Sequence, residues 1–195
     1  MHDSLVWQQV ARLHVDNLDQ GFLATLGPRF LTLMYRAIDE CDSSVLLVEQ
    51  RNEHVVGFVC GARSMGPIYR QMLRHWQRLI PSLFPSLLNP RRVWRILEIL
   101  CYSGKGTALA DLPAYELLSI AVEPSARGQG VSERLYKGLM DHCREQGIPS
   151  FKIVVGESLA PAHRFYQRMG AEVAGETEVH RGETSVVYVQ RDGPT

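Results

Sequence analysis

The run Val122-Glu123-Pro124-Ser125-Ala126-Arg127-Gly128-Gln129-Gly130-Val131-Ser132 joins an apolar stretch to an amphipathic one. Glycines at 128 and 130 remove side chains where backbone N–H groups must approach an anion closely. A helix starting just after them adds the partial positive charge of its N-terminus, and Arg127 adds a full charge. This pattern suits a phosphate or pyrophosphate. It lacks the Gly-Lys-Ser/Thr of a P-loop. It also lacks the third glycine of a dinucleotide fingerprint, and its strand comes late in the chain. Read alone, the run is equally a tight turn feeding a helix. Glu116 opens the apolar stretch between Tyr115 and Leu117, where desolvation raises a carboxyl pKa and suits it to act as a base. Glu157, just after the next apolar stretch, is the rival. The seven histidines form no triad, and no serine sits in Gly-x-Ser-x-Gly. Cys41, Cys60, Cys101 and Cys143 make no CxxC pair and no Cys/His cluster of zinc spacing, so no metal is expected.

The elements that must position these residues follow from periodicity. Tyr115 to Val122 predicts a strongly apolar strand. Gln129 to Gln146 predicts a helix with Val131, Leu135, Leu139, His142 and Cys143 on one side, stopped by Gly147. Phe151 to Val155 is strand-like, and Pro161 to Met169 a short helix ending at Gly170. Two strands follow, Glu172 to Val179 and Ser185 to Gln190, with a turn at Arg181-Gly182. Upstream, Leu5 to His14 fits either a strand or a helix. Gly21 to Leu26 and Pro28 to Ile38 read as helices, the second with Phe30, Leu31, Met34 and Ile38 on one face. Val45 to Glu49 and Val55 to Ala62 read as strands joined by a loop over residues 50–54. Arg63 to Lys105 breaks the β pattern. Ile68, Met72, Trp76, Leu79 and Ile80 form one helical stripe, and Val93, Trp94, Leu97, Leu100 and Cys101 another, separated by a proline-rich stretch.

A chain of 195 residues suits one domain, residues 1–195, with a helical insertion at about 63–112. Apolar residues make up 45%, charged residues 22%, and the formal net charge is zero. Such a balance argues against a nucleic-acid partner. The start has no signal-peptide pattern, no apolar run is long enough to span a bilayer, and the cysteines read as reduced thiols. A cytoplasmic protein is expected.

Val-x-Pro-x-x-Arg-Gly-x-Gly after Leu117-Leu118-Ser119-Ile120-Ala121 resembles motif A of the GNAT superfamily of N-acetyltransferases. Ala162-His163-Arg164-Phe165-Tyr166-Gln167-Arg168-Met169-Gly170 resembles its motif B. The resemblance implies an α/β fold: a mixed, mostly antiparallel GNAT-type sheet with splayed central strands, flanked by helices. It implies acetyl-CoA as co-substrate, lying between the splayed strands. Ile120, Ala121 and Val122 would face its pantetheine. Arg127, Gly128, Gln129, Gly130, Val131 and Ser132 would hold its pyrophosphate through main-chain N–H groups. Tyr166 falls where many members place the acid for the CoA thiolate, and Glu116 matches the strand position of the base in the superfamily's histone acetyltransferases. Three positions depart from the pattern: Ser132 where Gly or Ala is usual, Leu159 where an Asn contacts the cofactor, and Ala171 where Phe is usual. His163 reads as a surface or helix-end contact, and Cys143 as core.

Acetyl transfer to an amine needs deprotonation of the ammonium, polarisation of the thioester and protection of the leaving thiolate. Direct transfer in a ternary complex is the expected route. Residues 63–105 carry Arg63, Arg70, Arg74, Arg78, Arg91, Arg92, Arg95 and Lys105 against the single acid Glu98. Three readings follow: solvated helix faces, a lid recruiting an anionic acceptor such as a nucleotide-linked amino sugar, or a membrane contact through about 80–95. A small-molecule primary amine is the expected acceptor, with a peptide or protein amine, or a non-catalytic acyl-CoA-binding module, as alternatives. The last two strands suit pairing across a homodimer.

Overall fold

The computed structural model describes residues 2–18, 22–74, 112–180 and 183–191. The N-terminal segment, for which the sequence left strand and helix open, is helix α1 (Ser4–Asn17). Asp3 caps it, accepting from the Leu5 and Val6 N–H groups at 2.9 Å each. Val6, Trp7, Val10, Ala11, Leu13 and His14 are buried at helical spacing. Phe22–Leu26 is a 3-10 turn rather than the expected α-helix. Gly27 breaks its continuation with a left-handed φ of 82°, and α2 (Gly27–Asp39) starts there with Pro28 in its first turn.

β1 (Ser44–Arg51) and β2 (His54–Ala62) form an antiparallel hairpin. Its turn is shorter than the expected five-residue loop. Arg51 pairs directly with His54, and Asn52 and Glu53 make the bend at φ 48° and 63°. Glutamate is a poor left-handed residue, and a tertiary contact holds it there. The Gln9 side chain on α1 donates to Glu53 O at 3.1 Å and accepts from Val55 N–H at 2.6 Å.

Helix α3 (Met65–Arg74) buries Ile68 and Met72 of the first expected stripe. The rest of that stripe, the whole second stripe and the remaining insertion arginines lie outside the described residues, as does the turn at 181–182. Then come β3 (Tyr115–Val122), α4 (Val131–Glu145), β4 (Ser150–Gly156), α5 (Ala160–Arg168), β5 (Glu172–His180) and β6 (Glu183–Arg191).

The described strands make one six-stranded sheet of order β1-β2-β3-β4-β6-β5, antiparallel except between β3 and β4. A core between the sheet and α1, α2 and α3 covers one face, with Tyr35, Phe58 and Ile68 fully buried. A second core on the other face gathers Leu135 and Leu139 of α4, Tyr166 of α5 and Tyr188 of β6. Among the described residues no helix is long and apolar enough to cross a membrane.

Candidate active site

The central feature is where β3 and β4 part. Their parallel register covers three pairs: Tyr115 with Phe151, Glu116 with Lys152, and Leu117 with Ile153. Beyond Leu117 each strand stays fixed on its outer side only. Val59, Phe58 and Gly57 of β2 pair with Ile120, Ala121 and Val122. β6 pairs with β4 as far as Gly156. The inner edges of 118–122 and 154–156 therefore line a slot. A local irregularity accompanies the parting. Cys60 opposes Ser119 while Gly61 opposes Leu117, which leaves Leu118 as an extra residue on β3. A bulge of this kind bends its strand and increases its twist, turning β3 away from β4.

The open end of the slot meets the glycine turn. Gly128 and Gly130 take φ of 72° and 74°, the left-handed region that favours glycine. A Cβ on Gly128 would meet nothing within 4 Å. Gly130 is the N-cap of α4, and no side chain caps the helix. Hydrogen bonding there starts with Arg134 N–H to Gly130 O at 3.0 Å, so the N–H groups of Val131, Ser132 and Glu133 point out of the helix end. Three arginines brace the turn. Arg51 donates to the Gln129 side chain at 2.6 Å, and Gln129 in turn donates to Ser125 O at 2.9 Å. Arg134 donates to Gln129 O at 3.0 Å and to both oxygens of Glu49. The Arg127 side chain reaches back to Val122 O at 3.2 Å and Asn17 Oδ1 at 2.7 Å, and its N–H donates to Pro124 O at 3.3 Å. Arg127 thus fixes the turn to α1, and its own N–H is already engaged.

Glu116 sits at the closed end of the slot. Tyr115 and Leu117 belong to the α4-side core, so Glu116 between them turns to the opposite face, where its β2 partner Ala62 packs. Burial pushes its carboxyl above the ordinary range, and Lys152, 3.5 Å away, pulls it partly back. Lys152 was missed in the sequence; a lone lysine inside the apolar run 151–155 was the available signal. Tyr166 is buried on the other face of the sheet, against Phe165, Tyr136 and Tyr188 at ring distances of 5.3, 5.9 and 6.2 Å. Burial raises its hydroxyl pKa. Glu157 is exposed just past the end of β4, far along the strand from Glu116. Tyr136 and Tyr188, both fully buried, are further residues that periodicity did not single out.

His163 does more than the expected surface contact. Its Nε2 donates to Gly156 O at 3.1 Å and its Nδ1 lies 2.8 Å from the Tyr188 hydroxyl, tying α5 to the last residue of β4. Leu159 is exposed at the start of α5, and a Cβ on Gly156 would lie 3.8 Å from it. Across the sheet, buried His14 shares a 2.6 Å hydrogen bond with Tyr35, and Cys60 pairs in register with Ser119 beside the bulge. Cys60 and Cys143 are buried and Cys41 half-buried, all unbridged, while Cys101 lies outside the described residues. Among the described residues no group of three or more His, Cys, Asp or Glu is placed to hold a metal.

Known proteins share this fold. A curated relative, the mycothiol acetyltransferase of Thermomonospora curvata, is 36% identical over 58 residues, which are 30% of this chain and 20% of that protein. The match therefore spans about a fifth of the relative's length. An aminoglycoside 6'-N-acetyltransferase solved with coenzyme A superposes with a TM-score of 0.62 at 10% identity, over 99% of this chain and 94% of that one. An N-acetyltransferase from Staphylococcus aureus Mu50 gives 0.61 at 13% identity, over 97% and 94%. At those identities the two structures share the fold. The model of the acetyltransferase (GNAT) family matches residues 15–171, most of the sheet and both helices beside the slot, and the chain belongs to that family.

Proposed function

We propose that this acetyltransferase moves an acetyl group from acetyl-CoA to the primary amine of a small-molecule acceptor, by direct attack while both substrates are bound. One observation carries the reading: the slot opened by the parting of β3 and β4 runs from the uncapped N-terminus of α4 to Glu116. The residues present fit acetyl-CoA. The N–H groups of Gly128 to Ser132 would hold its pyrophosphate, with open space over Gly128 where a side chain would intrude. The inner edge of Ile120, Ala121 and Val122 would pair with the pantetheine amides. Residues 118–122 span about 17 Å of extended strand at about 3.3 Å per residue. When bound, acetyl-CoA supplies the activated acyl group.

Two side chains then divide the proton work. Glu116, on the α1–α2 face, takes the proton from the incoming amine as the C–N bond forms. Tyr166, on the α4–α5 face, gives its proton to the sulfur as the C–S bond breaks. A base and an acid on opposite faces let acceptor and leaving group use different sides of the slot. Glu157 lies at the open end, which favours Glu116 as the base. Three exposed arginines, Arg63, Arg70 and Arg74, follow the end of β2, and Arg70 and Arg74 lie on α3, in the helical layer that covers the face of Glu116. This placement favours an anionic acceptor, such as a nucleotide-linked amino sugar.

The test is thiol release from acetyl-CoA with panels of nucleotide amino sugars, polyamines and peptides. Turnover with the first panel supports the acceptor class; turnover confined to polyamines or peptides rejects it. Thiol release with none of them, despite acetyl-CoA binding, leaves the acyl-CoA-binding module in place of the enzyme. Glu116→Gln is expected to lower kcat by about 10²–10⁴-fold and Tyr166→Phe by about 10²-fold. An unchanged kcat in either removes that residue from the mechanism.

A further inference from the structure

Lys152 has no part in the proton steps above, yet its placement is specific. It is the direct register partner of Glu116, on the middle of the three rungs that join the two halves of the sheet. Phe151 and Ile153, its neighbours, belong to the α4-side core, so its side chain shares the face of Glu116. The ammonium lies 3.5 Å from Glu116 Oε2, and both side chains are half-buried, at 20% and 33% exposure. We infer that Lys152 is the positioning residue of this site: its ammonium holds the Glu116 carboxylate ionised and fixes it at the closed end of the slot. The inference rests on the reading of Glu116 as the base.

The surroundings leave this work to Lys152. On β2, Ala62 faces Glu116, and Cys60 pairs with Ser119. Residues 112–114, just before β3, are Leu, Pro and Ala. On α1, which packs across the same face, His14 is locked to Tyr35. In the same layer α3 carries Tyr69, Arg70 and Arg74, and Arg74 donates to Gln71. Along the row past Lys152 come Val189 of β6 and then Glu172 of β5, which pairs with Arg191 at 2.8 Å. Among the described residues, Lys152 supplies the charge that acts on Glu116. Without it, burial is the force left on the carboxyl, and burial favours the protonated form, which cannot accept a proton.

The test needs no acceptor. Carbon-13 NMR of glutamate carboxyls is followed against pH in wild-type protein, Lys152→Gln and Lys152→Arg, with Glu116→Gln assigning the signal by its disappearance. The Glu116 midpoint is expected to rise by about one pH unit in Lys152→Gln, and to return to near its original value in Lys152→Arg. A midpoint unmoved in Lys152→Gln overturns the inference, as does a midpoint in Lys152→Arg as high as in Lys152→Gln. Thermal melts of each variant confirm the fold in which the titration is read. The two readings fail separately: a wild-type kcat in Glu116→Gln removes the base, whereas an unmoved midpoint removes only the role of Lys152.

Discussion

At the scale of single residues, the glycine turn was the most legible feature. Two glycines spaced by one residue before an amphipathic helix state a backbone requirement directly, and both have left-handed φ. Gly128 separates that backbone requirement from ligand contact, because a side chain there touches no protein atom within 4 Å. Gly128→Ala is expected to cost about 1–2 kcal/mol of stability through its φ. It should raise the Kd for acetyl-CoA by about tenfold or more, since the new methyl enters the anion's space. Isothermal titration and thermal melts check the pair; an unchanged Kd would place the pyrophosphate elsewhere. Less legible were residues whose importance comes from a partner distant in sequence. Nothing near Lys152 announces Glu116, 36 positions earlier, and nothing near His163 announces Tyr188. Sequence shows a residue's type and phase, whereas register decides what it meets.

At the scale of elements, long periodic segments were read well and their junctions were not. The predicted bounds of β3, Tyr115–Val122, match those found, and those of α4 and β4 shift by one or two residues. The bulge at Leu118 escaped notice because an extra residue in an apolar run leaves no mark in composition. The tight bend at Asn52-Glu53 escaped because its left-handed glutamate runs against propensity and is held by Gln9 from another element. Gly57 shows the same limit in packing. It reads as a weak spot in a strand, but it lets α4 lie close on β2. A Cβ there would come within 2.8 Å of Val131 Cγ1 and 3.0 Å of Leu135 Cδ1. Gly57→Ala is therefore expected to lift the first turn of α4 off the sheet, at a cost of about 1–3 kcal/mol. Because that turn carries the N–H groups proposed to hold the pyrophosphate, acetyl-CoA binding should weaken along with stability. A chemical-denaturation curve and a binding isotherm on the same variant test this; weaker folding with undiminished binding would uncouple the two.

At the scale of the whole molecule, the fold class was legible from the order of strands and helices, whereas the sheet's internal opening was supplied by resemblance and could not be read from periodicity. The molecule also carries a pH sensitivity on the α1 side of the sheet. His14 is 3% exposed, and burial lowers its pKa from 6.5 to about 4. The unfolded chain takes up this proton below about pH 6.5, while the native state resists until about pH 4. Stability is therefore complete above about pH 6.5 and falls by about 3 kcal/mol as the pH drops to about 4. His14→Gln cannot take up that proton, so its melting temperature should fall less between pH 7 and pH 4.5 than that of the wild type. Parallel slopes in the two proteins would dismiss His14 as the cause. The opening between β3 and β4 has a consequence for solubility as well as for chemistry. Unpaired strand edges on a sheet's rim invite other proteins to add a strand and aggregate. Here the unpaired stretch lies in the interior, between two strands held on their outer sides and two helical layers. A slender ligand arm can thread in from the open end, while the flanking strands and helices screen it from a second polypeptide. The protein thus keeps its unpaired strand edge inside the sheet, sheltered from its neighbours.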